Sequence, residues 1–123
     1  MIIAVDFDGT CVTNEYPLVG EDIRAVPVLK FLSEKHKLIL YTMRSGEQLE
    51  DAVKWFNSNE IPLYGINRNP TQSIWTKSPK IYANLYIDDA ALGCPLIEDK
   101  GISDKPFADW NKIGDLLGYQ KEL

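Results

Sequence analysis

The chain predicts an α/β fold, a mostly parallel sheet layered by helices, and three observations carry that expectation. Apolar runs of strand length, opening at Ile2, Lys37 and Asn84, alternate with segments whose apolar residues recur at helical spacing. The runs are continuous rather than alternating, as in strands covered on both faces. The three best runs also end in residues able to carry chemistry: Asp6 and Asp8, then Thr42, then Asp88 and Asp89. Open parallel sheets place their chemistry at the carboxyl ends of strands.

The first strand runs Ile2-Ile3-Ala4-Val5-Asp6-Phe7-Asp8-Gly9-Thr10. Side chains two apart project to one face, so Asp6 and Asp8 can share a site while Phe7 turns the other way. Two close anions repel unless a cation or a shared proton relieves them. Gly9 frees the backbone to turn and to offer N–H groups to an anion, and the Thr10 hydroxyl supports that turn. Residues 11–20, with Thr13, Asn14, Pro17 and Gly20, read as a loop or small hairpin over the site.

Val26, Leu29, Phe31 and Leu32 form a helical stripe, and Pro27 is tolerated in a first turn, which predicts a helix over 25–35. Lys37 to Thr42 is the second strand. Ser45-Gly46-Glu47-Gln48 resembles a helix start, Leu49, Ala52, Val53 and Phe56 share one face, and Asn57-Ser58-Asn59 ends the helix. Leu63–Ile66 is taken as a third strand and 67–79 as loop, with Ile74 and Trp75 expected to find cover beneath it. The Asn84–Asp88 strand follows, then a loop at Gly93-Cys94-Pro95. The last helix has Trp110, Ile113, Leu116 and Leu117 as its buried stripe and Gly118 as its stop. If the two acidic strand ends are neighbours, Asp6, Asp8, Asp88 and Asp89 form a cluster of four carboxylates.

With 123 residues, 45% of them hydrophobic, the chain is the size of a single domain, 1–123, with one core. A formal net charge of −5 disfavours general nucleic-acid binding but leaves a local cationic pocket open. Two cysteines, Cys11 and Cys94, and no signal-peptide pattern point to a reducing cytoplasm. No apolar run approaches the roughly 20 residues that span a bilayer, so no membrane association is expected. His36, the only histidine, sits away from every strand tip, which disfavours histidine-based catalysis.

DFDGT at 6–10, the apolar run ending at Thr42, Lys80, and IDD at 87–89 together resemble the haloacid dehalogenase (HAD) superfamily, in that family's motif order. The resemblance spans residue 2 to about residue 93. It implies a three-layer sandwich around a mostly parallel Rossmann-like sheet, and a phosphohydrolase, specifically a phosphomonoesterase, working through an aspartyl-phosphate. Asp6 would be the nucleophile and Asp8 the proton donor and acceptor. Thr42 and Lys80 would serve the phosphoryl group, with Gly9, Met43 and Arg44 completing the substrate-binding set. Mg²⁺ would be held by Asp6, by the backbone carbonyl of Asp8 and by Asp88, with Asp89 orienting its waters or pairing with the lysine. Lys77 is the alternative to Lys80, and Arg44 is either a specificity residue or a solvated loop arginine.

An acid at position 8 suits phosphate, because a departing halide needs no proton. The order of site elements also separates the chain from two-component receivers, whose lysine comes last. The gaps 11–41 and 43–87 are consumed by secondary structure, which predicts a minimal core without a cap domain. Its open site suits a bulky phosphorylated substrate, or a second copy of the chain acting as lid. The alternative function is a non-catalytic or regulatory HAD-like domain that binds a phosphorylated partner.

Overall fold

Four strands, β1 (Ile2–Val5), β2 (Lys37–Leu40), β3 (Gly65–Ile66) and β4 (Leu85–Ile87), form one parallel sheet in the order β3-β2-β1-β4. The structure, a computed structural model, describes residues 1–120. From β1 the chain steps outward to β2 and β3, then returns to lay β4 on the far side of β1. Strand order therefore reverses between β1 and β4, and an open sheet forms its crevice at the carboxyl ends of such a pair. Val5 lies opposite Ile87, and the Asp6 N–H donates to the Ile87 carbonyl at 2.9 Å. That bond carries the register one residue further and sets Asp6 beside Asp88.

The register sends Ile3, Val5, Leu38, Leu40, Leu85 and Ile87 to one face. All three helices share the hydrophobic cluster built on that face: α1 (Ala25–Lys35), α2 (Gly46–Ser58) and α3 (Trp110–Leu116). α1 occupies the predicted span and buries Ala25, Val28, Leu29 and Leu32. α2 buries Ala52 and Phe56, and Phe7 packs against its Trp55 and Phe56 rings at 5.6 and 6.2 Å. A phenylalanine so enclosed contributes about 3–5 kcal/mol by comparison with truncation to alanine. At the start of α3 the Asp109 carboxylate caps the Lys112 N–H.

Ala4, Ile39 and Tyr86 point to the opposite face, where Ala4 and Ile39 are wholly buried. The layer there is irregular. Segment 67–84 holds a single 3₁₀ turn at Gln72–Ile74, and the Tyr86 hydroxyl ties the sheet to it by donating to the Ile81 carbonyl. Within the segment, Gln72 is buried and donates to the Ser78 and Lys80 carbonyls while accepting from the Tyr82 N–H.

Two expectations about packing are corrected. Ile74 and Trp75 are 84% and 64% exposed, because Gln72 and Asn69 fill the interior of this segment with hydrogen bonds instead. Leu116 is 76% exposed: it lies beside β4, an edge strand with no further strand to cover it among the described residues. A small antiparallel pair, β5 (Leu96–Ile97) and β6 (Phe107–Ala108), lies between the Gly93–Pro95 loop and α3, where the sequence assigns no element. Among the described residues no helix is long and apolar enough to cross a membrane.

Candidate functional site

Asp6, Asp88 and Asp89 each bring a carboxylate oxygen into one group, within 4.8 Å of one another, at the ends of β1 and β4. The Thr10 hydroxyl stitches the group together. Its oxygen lies 2.9 Å from Asp6 Oδ2 and 3.0 Å from Asp89 Oδ1, and it accepts the Asp89 N–H at 2.9 Å. A hydroxyl has one hydrogen and serves one carboxylate at a time. Burial, the hydrogen bond with Asp89 and the charge of Asp88 push the Asp6 carboxyl up to about 8, against an opposing pull from Thr10. Alone, the cluster therefore relieves its repulsion by holding a proton on Asp6 at neutral pH. A divalent cation would do the same by displacing that proton, and an all-oxygen donor set fits a hard ion.

The turn beneath is locked from several sides. Gly9 has φ +79°, and a Cβ there would lie 2.5 Å from Asp89 Oδ2, so only glycine lets that carboxylate pack on the loop. The Gly9 carbonyl accepts from the Ala108 N–H, and the buried Trp110 indole donates to the Thr10 carbonyl at 2.6 Å. Sequence reasoning took Trp110 as packing alone. Its hydrogen bond to the acidic loop spans 100 residues and leaves no local signature. The Gly9 N–H, expected to face an anion, instead donates to the Val12 carbonyl at 2.7 Å. Cys11 is wholly buried beside Asp6, and burial pushes its thiol up, away from nucleophilic use.

Asp8 does not join the acidic cluster, so the expected group of four carboxylates is three plus an ion pair. Arg44 takes the Asp8 carboxylate in a fork, Nε to Oδ2 at 2.8 Å and Nη2 to Oδ1 at 2.7 Å. Its remaining N–H groups donate to the Pro17, Leu18 and Gln48 carbonyls. All five donors are then spent inside the protein. Arg44 is 2% exposed and lies between the Phe7 and Tyr16 rings, at 5.0 and 5.2 Å from their centroids. Arg44 is thus neither a solvated loop residue nor one with a donor left for substrate. It fixes Asp8 and ties the 16–18 loop to the start of α2.

Thr42 follows β2 by two residues. Its N–H donates to Asn67 Oδ1 at 2.8 Å and its hydroxyl oxygen accepts the Arg44 N–H at 3.1 Å, which leaves the hydroxyl hydrogen to donate elsewhere. Asn67, in a left-handed conformation just past β3, was missed because nothing in a single loop asparagine announces a clamp on a residue 25 positions away. Met43 is 99% exposed, and its N–H has no hydrogen-bond partner among the described residues. Lys80 places its ammonium 5.7 Å from the Tyr86 ring centroid. Tyr86 shares its side of the sheet with Ala4, and by alternation with Asp6 and Asp88, so Lys80 stands on the face from which those acids project. Lys77 instead lines a pocket beside Arg68 and Ser73.

The fold and the site define a small Rossmann-like α/β protein with an acidic centre at the reversal point of its sheet. The chain belongs to the same family as a conserved protein of Bacteroides thetaiotaomicron, whose solved structure is 37% identical over 99% of this chain and 93% of that one, with a TM-score of 0.78. No family model matches the chain, and neither does any curated protein.

Proposed function

We propose that the protein is a Mg²⁺-dependent phosphohydrolase of the haloacid dehalogenase type, a phosphomonoesterase acting through an aspartyl-phosphate. The observation that carries this reading is the Val5–Ile87 register, which puts Asp6 and Asp88 side by side at the sheet's reversal point. Asp6 attacks phosphorus in line; the bond to the ester oxygen breaks as the bond to the Asp6 carboxylate forms. Asp8, a carboxylate in its pair with Arg44, frees one oxygen from the fork and takes a proton from solvent, gives that proton to the departing oxygen, and then takes one from the water that hydrolyses the phosphoenzyme. The Arg44 guanidinium keeps Asp8 in place between the steps, releasing one of its two oxygens for each proton transfer.

Thr42 donates its hydroxyl hydrogen to a phosphoryl oxygen, joined by the Met43 N–H, and Lys80 supplies positive charge from the same side of the sheet. Mg²⁺ would be held by Asp6, Asp88 and the Asp8 carbonyl, with Asp89 orienting its waters; it would offset the repulsion between an anionic nucleophile and a phosphate dianion.

The test is turnover of phosphorylated sugars, nucleotides and phosphopeptides by purified protein with Mg²⁺. Asp6→Asn is expected to abolish it. Asp8→Asn is expected to slow turnover by about 10²–10⁴-fold while still binding phosphate. Undiminished turnover in Asp6→Asn overturns the nucleophile assignment, and no turnover with any class favours a domain that only binds its phosphorylated partner.

A further inference from the structure

Residues 61–87 contain no aspartate or glutamate, yet carry Arg68, Lys77 and Lys80, in a chain whose net charge is −5. Part of this stretch lines an open pocket of about 270 Å³, bordered by Asn67, Arg68, Gln72, Thr76, Lys77 and Ser78 among others. The pocket adjoins the candidate site through Asn67, whose side-chain oxygen holds the Thr42 N–H.

The hydrogen bonds within the pocket wall decide what it can take. Asn69 Oδ1 is occupied by the N–H and hydroxyl of Thr71, and Gln72 Oε1 by the Tyr82 N–H. The Thr76 and Ser78 hydroxyl oxygens accept the N–H groups of Ser78 and Lys80. The side-chain amide oxygens of Asn69 and Gln72 are thus engaged, and the Thr76 and Ser78 hydroxyl oxygens each already accept one bond. Free to meet a ligand are the Ser73, Thr76 and Ser78 hydroxyl hydrogens, the Asn67 amide, and the Arg68 and Lys77 cations, neither of which forms an ion pair among the described residues. A wall that sets two cations without ion-pair partners among hydroxyl and amide donors, and that contains no acid, matches an anion.

We infer that this pocket binds a second anionic group of the substrate, so that the substrate class is phosphomonoesters carrying a further phosphate or carboxylate. The inference rests on the phosphohydrolase reading for the word substrate, but the anion site itself can be read separately. In the full chain, titration with inorganic phosphate followed by amide NMR is expected to shift residues 67–69 and 76–78. Arg68→Glu, a change at an exposed side chain, is expected to remove those shifts and keep the ones at 42–44. With Mg²⁺, Arg68→Glu should raise KM for a hexose bisphosphate about tenfold or more and change KM for p-nitrophenyl phosphate less than about twofold, with Arg68→Lys restoring most of the loss. Absence of phosphate-dependent shifts in the pocket overturns the inference, as does an equal KM change for the two esters. Pocket shifts lost in Arg68→Glu without turnover of either ester would remove the phosphohydrolase and leave the anion site standing.

Discussion

Arg44 decides more about this site than any residue outside the acidic cluster. Its guanidinium is buried, and removal leaves the Asp8 carboxylate without its fork and three carbonyls, of Pro17, Leu18 and Gln48, without a donor. Breaking a buried pair from one side costs about 3–5 kcal/mol. Arg44→Ala should show that loss in urea denaturation, and Arg44→Lys should recover only part of it, because an ammonium cannot reproduce a planar fork. Asp6 makes a second residue-scale prediction, in pH. Its carboxyl rises from an ordinary 3.8 to about 8 in the fold, so between those values the folded protein keeps a proton that the unfolded chain has released. The stability it contributes is fully present below the lower value and is lost as pH rises through the upper one. With divalent ions chelated, denaturation midpoints should fall from about pH 4 to about pH 8, and Asp6→Asn, which cannot ionise, should flatten that decline.

At the scale of elements, what was legible in the sequence is what repeats. α1 was readable because its apolar residues recur at helical spacing and Pro27 sits where a first turn needs no N–H donor. DFDGT and IDD were readable because both stand at the tips of apolar runs. β5 and β6, two residues each, carry no period, and the Arg44–Asp8 fork joins positions 36 apart through a side chain that is solvated in most loops. The 67–84 layer was opaque for the same reason: it is held by side-chain amides rather than by an apolar stripe. Gln72 is its keystone, and Gln72→Leu leaves the Ser78 and Lys80 carbonyls and the Tyr82 N–H without their partner. Each of these part-buried bonds contributes about 0.5–1.5 kcal/mol. Hydrogen exchange should therefore accelerate across 72–82 in Gln72→Leu, with little change in β1 and β2; unchanged exchange there would remove Gln72 from that role.

For the whole molecule, the order β3-β2-β1-β4 gathers repulsion at one point, since the two strands at the reversal both end in acid. A fold that concentrates like charge there loses stability unless something positive or a proton sits among the three carboxylates, and the chain as a whole is already negative. A cation that binds the folded state alone stabilises it by mass action, about 2.7 kcal/mol at a hundred times its Kd. Because the Asp6 carboxyl holds a proton up to about 8, that cation must displace it, so uptake at neutral pH releases a proton and apparent affinity falls as pH is lowered. Thermal denaturation with increasing Mg²⁺ should accordingly show a rising Tm, with a smaller rise at about pH 6 than at about pH 8. Asp88→Asn removes one ligand and one repelling charge together. It should raise Tm in chelator while weakening the response to Mg²⁺, opposite signs that a residue merely packed at a strand end would not produce. A Mg²⁺ response of wild-type size in Asp88→Asn would show that the reversal point of the sheet is not where the cation sits.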